Sequence, residues 1–252
     1  MSSLWLVLPT YNEAGNLESL VRAALPSLAR ASEDPRILVV DDGSPDGTGA
    51  IADRLAGEYA AVEVLHRTRK EGLGRAYLAG FDRALRAGAD LIVQMDADFS
   101  HDPSAIPGLV AAIADADVAI GSRYVAGGSI PEWSVLRRLV SRFGCRYART
   151  VLGVPVRDLT GGFKCFRRAV LDRVGLADVQ AEGYGFQIEL TYRALREGFR
   201  VAEVPISFSA RRAGRSKMSV RIAAEALWEV PALRVRLASR WPLPQPEGGG
   251  TW

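Results

Sequence analysis

The stretch LIVQMDADFSHDP (residues 91–103) joins an apolar run to two carboxylates that lie two positions apart. The run over residues 91–95 predicts a buried strand. Asp102 followed by Pro103 is typical of a helix start, because an Asp side chain caps the first turn and Pro suits its first position. Asp96 and Asp98 have no such structural explanation. Three interpretations of these two carboxylates are open: metal ligands, half of an acid/base pair, or ordinary loop residues.

The same alternation of apolar runs and polar loops extends over the first 125 residues. The predicted strands cover residues 4–9, 36–42, 62–67, 89–96 and 117–123. The predicted helices between them cover residues 14–31, 46–59, 74–87 and 103–114. Such alternation predicts an α/β fold with a Rossmann-like, mostly parallel central sheet flanked by helices on both faces. The polar clusters PTYNE, DDGSPDGT, DADFSHDP and GSRY follow four of these strands, at the edge where such sheets bind ligands.

The pattern changes beyond residue 125. Apolar side chains recur every three or four positions over residues 133–151, which predicts a basic amphipathic helix. Pro205 favours the edge of the sheet for the strand that contains it. The further predicted elements are a turn and strand over residues 158–166, helices over residues 186–197 and 219–240, and a strand over residues 199–208. The Pro- and Gly-rich residues 241–252 are expected to be a disordered tail.

Charge is distributed unevenly along the chain. The formal net charge is +3, but residues 133–157 hold six arginines and no acidic residue, and residues 205–240 hold eight basic and two acidic residues. Each segment therefore carries +6, which leaves −9 for the rest. This asymmetry predicts an anionic partner for the second half: a phosphate, a nucleic acid or a membrane surface. A nucleic acid is disfavoured, because no binding motif for one is recognisable and the N-terminal acids would repel its phosphates.

Composition excludes several other classes. Hydrophobic residues make up 48% and charged residues 24% of the 252-residue chain, which is typical of a globular protein. Cys145 and Cys165 lack metal-site spacing and indicate reduced thiols in the cytosol. His66 and His101 are too few for a histidine-rich metal centre. No signal peptide is recognisable, and no window approaches the roughly 20 apolar residues that span a bilayer.

Three polar segments have more than one interpretation. Residues 41–49 form either a turn with a helix cap or a nucleotide site, in which carboxylates accept from base N–H groups and ribose hydroxyls; a calcium loop fits their context poorly. Gly72 and Gly74 match a dinucleotide fingerprint only in part, because Tyr77 stands where glycine is needed. The basic segment 210–219 is either a solvated loop or a phosphate clamp.

Asp96 and Asp98 favour a metal site. Two anions at the end of an apolar strand are unfavourable unless a cation or hydrogen-bond donors compensate them. Carboxylate oxygens suit a hard ion such as Mg²⁺ or Mn²⁺, which keeps substrate phosphates among its ligands. A lone Asp-x-Asp pair is common by chance, but its position after the fourth strand favours binding of a metal and a nucleotide diphosphate.

Taken in order, the motifs PTYNE, VVDDGSPDGT, QMDADFSHDP, GSRY, GGFKCF, GYGFQIEL and RAGRSKMS resemble glycosyltransferase family 2 over residues 4–220. Within that family the sequence is most similar to the polyprenol (dolichol) phosphate mannose synthases. The resemblance implies a GT-A fold, GDP-mannose as the donor, a polyprenyl monophosphate as the acceptor, and inversion at the sugar carbon. It also implies a single domain over residues 1–240, with a nucleotide-binding half (1–125) and an acceptor- and membrane-facing half (126–240).

The resemblance also implies a site. The residues implied for the donor are Pro9, Tyr11, Glu13, Asp41, Asp42, Asp96, Asp98, Arg211 and Lys217. Those implied for the acceptor phosphate are Arg123, Arg137 and Ser141, and the metal ligands are Asp96 and Asp98, for Mg²⁺ or Mn²⁺. Catalysis is expected to depend on Asp98, Arg123, Arg137, Arg211 and Lys217. Leu159 and Gly162 depart from the Cys and Ser that related sequences often carry there.

The implied chemistry needs no general base, because a phosphate monoester with a second pKa near 6 is largely a dianion at pH 7. A lipid acceptor requires peripheral contact with the cytoplasmic face of the membrane. The basic helices near residues 133–152 and 219–240 either lie on that interface or pack on the core, and a membrane-embedded anchoring protein is a further expected partner. The alternatives are transfer of glucose or another sugar, and a non-catalytic module that binds a nucleotide sugar or an anionic lipid.

Overall fold

Apolar strands form the centre of the molecule, as a computed structural model of residues 2–181, 183–209 and 220–238 shows. The strands within these residues are β1 (Ser3–Thr10), β2 (Asp34–Asp41), β3 (Val62–His66), β4 (Leu91–Gln94), β5 (Val118–Ser122), β6 (Lys164–Arg167) and β7 (Val201–Pro205). They form one sheet in the order β3-β2-β1-β4-β6-β5-β7. Every pairing is parallel except those of β6, which runs antiparallel between β4 and β5. The predicted mostly parallel α/β sheet is therefore confirmed.

Helices cover both faces of this sheet. The helices of the described residues are α1 (Leu17–Ala31), α2 (Thr48–Glu58), α3 (Leu73–Arg86), α4 (Ile106–Ala112), α5 (Val135–Leu152), α6 (Arg168–Arg173), α7 (Gly183–Arg196) and α8 (Val220–Ala238), with 3-10 turns at Pro103–Ala105 and Leu176–Asp178. The short α6 and the second 3-10 turn were not predicted. The strand predicted over residues 199–208 ends at Pro205, and β7 is an edge strand, as that proline indicated.

The two-residue period of the strands divides the core into two layers. On β1, Trp5 and Val7 face one layer, whereas Leu4, Leu6 and Leu8 face the other. The first layer lies under α3, α5, α7 and α8, and the second lies under α1, α2 and α4. Both faces of the central strands are thus buried, which explains why their sequences are continuous apolar runs.

The helix α5 buries only part of its apolar surface. Five apolar residues in its N-terminal half are exposed, with exposed fractions from 44% to 72%. We call them the α5 ridge: Val135, Leu136, Leu139, Val140 and Phe143. Arginines at positions 137, 138 and 142 are interspersed with them in the sequence, and Arg146 follows them. The sequence did not decide whether this helix packs on the core or lies on a membrane surface. In the structure, the ridge does not pack on the core.

The helix α8 combines both arrangements. Val230, Leu233 and Leu237 are buried in the core, whereas Trp228 and Val235 are exposed. Arg236 donates to the buried carboxylate of Glu189 on α7 at 3.0 Å, and Tyr147 on α5 donates to the backbone oxygen of Leu227 at 2.7 Å. Along the part of the chain that the structure describes, no helix is both long and apolar enough to cross a membrane. The tail predicted over residues 241–252 lies outside the described residues.

Candidate active site

The carboxylates of the DADFSHDP loop lie just beyond the end of β4. Asp98 is buried, and its Oδ1 accepts a hydrogen bond from the backbone N–H of Ser100 at 2.9 Å. Between them, Phe99 adopts a left-handed backbone with φ of 61°, a conformation that costs a non-glycine residue about 1 kcal/mol or more and is concentrated at functional sites. Asp102 caps the following turn by accepting from Ser104 N at 2.8 Å, which confirms its predicted structural role.

The other carboxylate, Asp96, has a buried partner beneath the loop. Its Oδ1 accepts a hydrogen bond from the hydroxyl of Tyr77 on α3 at 2.7 Å. Among the described residues, no cluster of three or more His, Cys, Asp or Glu side chains could hold a metal ion. Two carboxylates in this position fit a hard divalent ion that takes its remaining ligands from phosphate oxygens and water, as Mg²⁺ usually does.

His101 belongs to the aromatic packing behind the loop. It is 1% exposed, and its ring lies 5.1 Å from that of Phe163 and 5.3 Å from that of Phe208 between centroids. Burial lowers the pKa of the imidazole below its ordinary value, which favours the neutral ring. These contacts connect the carboxylate loop to the segment that follows β7.

The loops after β1 and β2 are joined by side chains of the second loop. Backbone N–H groups of Asn12, Glu13 and Ala14 donate to Ser44 Oγ (3.1 Å), Thr48 Oγ1 (2.9 Å) and Asp46 Oδ2 (3.1 Å), respectively. Asp46 also accepts from Thr48 N at 3.0 Å, although the N-cap residue of α2 is Gly47. The PTYNE and DDGSPDGT clusters therefore form one continuous wall, in which Pro9 is paired with Val40.

Asp41 holds the shape of that wall. Its Oδ1 accepts from the hydroxyls of Ser44 at 2.5 Å and Thr10 at 3.2 Å, and its Oδ2 accepts from Ser44 N at 3.2 Å. Glu13 is used in a similar way, because its Oε2 accepts from the side-chain amide of Asn16 at 2.7 Å. The turn interpretation of these residues is thus correct, and it is compatible with a nucleotide bound against the turn.

The loop after β3 closes over the same edge. Arg67 donates to Asp42 Oδ1 at 2.5 Å and to Glu71 at 2.6 Å, and burial raises the pKa of Asp42 despite this partner. Lys70 places its ammonium 3.9 Å from the centre of the Tyr11 ring. Tyr11 and Asp42, both predicted for the donor, are therefore brought together with two cationic residues that the sequence did not identify.

The residues predicted for the acceptor phosphate gather between β5 and the start of α5. The Arg123 guanidinium lies 5.2 Å from the Tyr124 ring centre and 5.8 Å from that of Trp133. Arg137 stacks on the same Trp133 ring at 3.9 Å. The hydroxyl of Tyr124 donates to Ser141 Oγ at 2.6 Å. Two guanidinium groups and a serine thus share one aromatic cluster.

Arg123 has an ion-pair partner that the sequence did not reveal. Its Nε donates to Asp158 Oδ2 at 2.7 Å, and its Nη2 donates to Asp158 Oδ1 at 2.6 Å and to Thr160 at 2.7 Å. Both partners are buried, and the Arg123 charge holds the pKa of Asp158 below its ordinary value in spite of burial. Nη1 takes part in none of these three bonds.

Phe208 connects the aromatic cluster around Trp133 to the carboxylate loop. Its ring lies 5.5 Å from Trp133 and 5.3 Å from His101 between centroids, while Ser209 N donates to Ser100 O at 3.1 Å in the carboxylate loop. The cluster predicted for the acceptor (Arg123, Arg137 and Ser141, hereafter the acceptor cluster) and the carboxylate loop are therefore adjacent. Arg211 and Lys217, which the sequence predicts to bind the diphosphate, lie outside the described residues.

The sequence did not predict a buried polar layer that lies below the carboxylates. Lys164 of β6 is fully buried and donates to Gln187 O and Thr191 Oγ1, each at 2.8 Å, and burial lowers its pKa to about 7. Gln94, which is opposite Lys164 in the sheet, donates to Gln187 Oε1 at 2.7 Å. The one signal in the sequence was a lysine in the otherwise apolar run FKCF, since lysine is rarely buried without a purpose.

Comparison with known proteins gives close relatives. The sequence matches the glycosyl transferase family 2 model over residues 5–175. A polyprenol monophosphomannose synthase of Mycolicibacterium smegmatis is 48% identical over 233 residues, which cover 92% of this chain and 86% of the relative. An undecaprenyl-phosphate mannosyltransferase of Micrococcus luteus is 46% identical over 235 residues, which cover 93% of this chain and 94% of the relative.

Solved structures share the fold. The crystal structure of Mycobacterium tuberculosis glucosyl-3-phosphoglycerate synthase matches with a TM-score of 0.64 at 21% identity, over 97% of this chain and 82% of that one. The same enzyme with Mn²⁺, uridine diphosphate and glucosyl-3-phosphoglycerate matches with a TM-score of 0.63 at 22% identity, over 97% and 82%. The predicted GT-A architecture is thereby confirmed. From the family match and the two relatives, we conclude that the chain is a glycosyltransferase that belongs to glycosyl transferase family 2.

Proposed function

We propose that this enzyme transfers mannose from GDP-mannose to a polyprenyl monophosphate, with inversion, and releases GDP. The observation that carries the proposal is the similarity, at 46–48% identity over nearly the whole chain, to two enzymes whose names specify mannose and a polyprenol or undecaprenyl phosphate. The adjacency of a carboxylate loop and a cluster with two arginines supports it, because the reaction brings two phosphate-containing substrates together.

The first 125 residues bind the donor in this proposal. Pro9, Tyr11, Glu13, Asp41 and Asp42 line the nucleoside site, in the wall formed by the loops after β1 and β2. The contacts of Asp41 and Asp42 support a preformed wall, because these carboxylates already hold neighbouring loop residues in place. A preformed site loses less conformational entropy when a ligand binds.

Asp96 and Asp98 hold the donor diphosphate through a divalent ion, Mg²⁺ or Mn²⁺. When bound, such an ion neutralises the charge that develops on the departing diphosphate. Asp98 is the principal ligand in this proposal, because its carboxylate is fixed by the strained turn at Phe99. Arg211 and Lys217 are proposed to contact the same diphosphate from the segment after β7.

Residues 126–240, together with Arg123, bind the acceptor phosphate. Arg137 and Ser141 supply a cation and a hydroxyl, and Asp158 holds the Arg123 guanidinium in the same aromatic cluster. One acceptor oxygen forms a bond to C1 of mannose while the bond from C1 to the GDP oxygen breaks. The nucleophile is already a dianion, so the residues orient it and do not remove a proton, which is the proximity contribution to catalysis.

The acceptor lipid brings the enzyme to the cytoplasmic face of a membrane. The α5 ridge and its neighbouring arginines support peripheral binding there, because an apolar surface edged by cations suits an anionic lipid interface. The acceptor cluster lies at the N-terminal end of the same helix, so a lipid phosphate at Trp133 and Arg137 would remain near the bilayer. A membrane-embedded anchoring protein is a further proposed partner of this surface.

A donor panel tests the proposal. The purified chain is incubated with a short polyprenyl phosphate, Mg²⁺ or Mn²⁺, and GDP-mannose, GDP-glucose or UDP-glucose. We expect lipid-linked sugar from GDP-mannose and none when EDTA is added. Asp98→Asn should be inactive, whereas Asp115→Asn, at an exposed carboxylate away from the loop, should be active. Preference for a glucose donor would show that the transferred sugar is glucose and not mannose. Binding of a donor without turnover would favour a non-catalytic binding module.

A further inference from the structure

The hydroxyl of Tyr77 is the feature that the proposed function leaves unexplained. Tyr77 is fully buried in the first layer of the core, where a phenylalanine ring would fill the same space. Its hydroxyl nevertheless donates to Oδ1 of Asp96, which lies just beyond the end of β4, at 2.7 Å. A buried hydroxyl is unfavourable unless it is hydrogen-bonded, and the contact with this carboxylate provides that hydrogen bond.

The position of that hydroxyl is rigidly determined. The Tyr77 ring is stacked between Phe81, at 5.8 Å and 26°, and Phe186, at 5.9 Å and 2°. Phe186 belongs to α7, and Gly74, one turn before Tyr77, lets this helix approach closely, because a Cβ atom at Gly74 would lie only 3.0 Å from the Phe186 ring. Close packing of α3 on α7 therefore fixes the ring, and with it the direction of the donated hydrogen bond.

Gly162 lies beside the Asp96 carboxylate. A Cβ atom there would lie 3.4 Å from Asp96 Oδ2 and 3.6 Å from Oδ1, so the absence of a side chain leaves room beside the whole carboxylate. With Oδ1 held from below by Tyr77, rotation of the carboxylate about its Cβ–Cγ bond is restricted. Hydrogen bonds of this kind orient metal-binding carboxylates in many proteins.

We propose that Tyr77 is a positioning residue that fixes the orientation of the Asp96 carboxylate for binding of the divalent ion and the donor diphosphate. This inference rests on the proposed function, because it assumes that Asp96 is a metal ligand. It assigns a role in the site to a core residue of α3, whose sequence resembles an incomplete dinucleotide fingerprint.

Tyr77→Phe tests the inference, because it removes the hydroxyl and keeps the stacked ring. Tyr192→Phe is the matched control: Tyr192 is also fully buried and its hydroxyl bonds Arg196 at 3.3 Å on α7. Binding of Mn²⁺ in the presence of GDP is measured by the loss of the free-ion electron paramagnetic resonance signal. We expect the Kd for Mn²⁺ to rise about 10-fold in Tyr77→Phe and to stay within twofold of wild type in Tyr192→Phe.

A second measurement separates positioning from a general effect on folding. Tyr77→Phe is combined with Asp96→Asn, and thermal unfolding is recorded for all variants. We expect Tyr77→Phe to change Mn²⁺ binding in the wild-type background but not in the Asp96→Asn background. A Tyr77→Phe enzyme that binds Mn²⁺ and GDP like wild type, or that weakens binding equally in both backgrounds, would overturn the inference alone. A wild-type chain that binds no Mn²⁺ with GDP would overturn the proposed metal site and this inference together.

Discussion

The exposed apolar area of the α5 ridge predicts how strongly the protein binds a membrane. Leu136 and Phe143 are 72% and 67% exposed, and full burial of such side chains contributes about 1.5–3 kcal/mol each. Transfer of the exposed two-thirds of both into a lipid interface should therefore contribute about 3 kcal/mol. Since each 1.4 kcal/mol is a factor of ten, we expect Leu136→Ser combined with Phe143→Ser to weaken vesicle binding roughly 100-fold.

Co-sedimentation with vesicles that contain anionic lipid measures this effect. Leu73→Ser is the control, because Leu73 is an exposed leucine on α3, outside the ridge. Anionic lipid should strengthen binding of wild type and variant alike, by about 1 kcal/mol for each basic residue near the surface. Folding stability should change little, since surface substitutions usually alter it by less than about 0.5 kcal/mol. Unchanged vesicle binding in the double variant would refute the assignment of the ridge to a membrane.

Three further predictions concern the site and the layer below it. Asp98→Asn should lower metal-dependent transfer by at least about 100-fold with little change in the unfolding temperature, and near-normal turnover would contradict its role as principal ligand. Asp158→Asn should lower the free energy of unfolding by about 3–5 kcal/mol in denaturant titration, because it leaves the Arg123 charge buried without its partner; a loss below about 1 kcal/mol would show that the pair is dispensable. The folded pKa of Lys164, about 7, is below its ordinary 10.5, so between these values the unfolded chain binds the extra proton and stability rises with pH. Relative to Lys164→Met, wild type should therefore gain about 2 kcal/mol between roughly pH 7.5 and 9, and a pH-independent difference would disprove this explanation.

Local signals in the sequence predicted the elements well. The Asp102–Pro103 pair indicated a capped turn, and the cap is present. Pro205 indicated an edge strand, and β7 lies at the edge. The carboxylates Asp96 and Asp98 were correctly placed beyond the end of a buried strand, although β4 ends at Gln94, earlier than predicted. These features depend on a few neighbouring residues, so the local sequence is sufficient to predict them.

Features that depend on distant residues were not predictable. The antiparallel strand β6 is inserted between β4 and β5, and nothing within its four residues specifies those neighbours. Arg123 was predicted to meet a phosphate, but its pairing with Asp158, 35 residues later, is a tertiary contact. The helical period of α5 predicted a helix correctly, yet the same period is typical of a core-facing and a membrane-facing helix. Only the packing of the surrounding elements decides which side is buried.

The configuration of the product tests the central claim most directly. The lipid formed by the purified chain from GDP-mannose and a short polyprenyl phosphate in the presence of Mg²⁺ is isolated, and the one-bond carbon–hydrogen coupling at the sugar C1 is measured by NMR. The proposed reaction predicts a single mannose on the lipid phosphate in the β configuration, because direct attack by the phosphate inverts the α linkage of the donor. An α-linked product, another sugar position, or no lipid-linked mannose would contradict it.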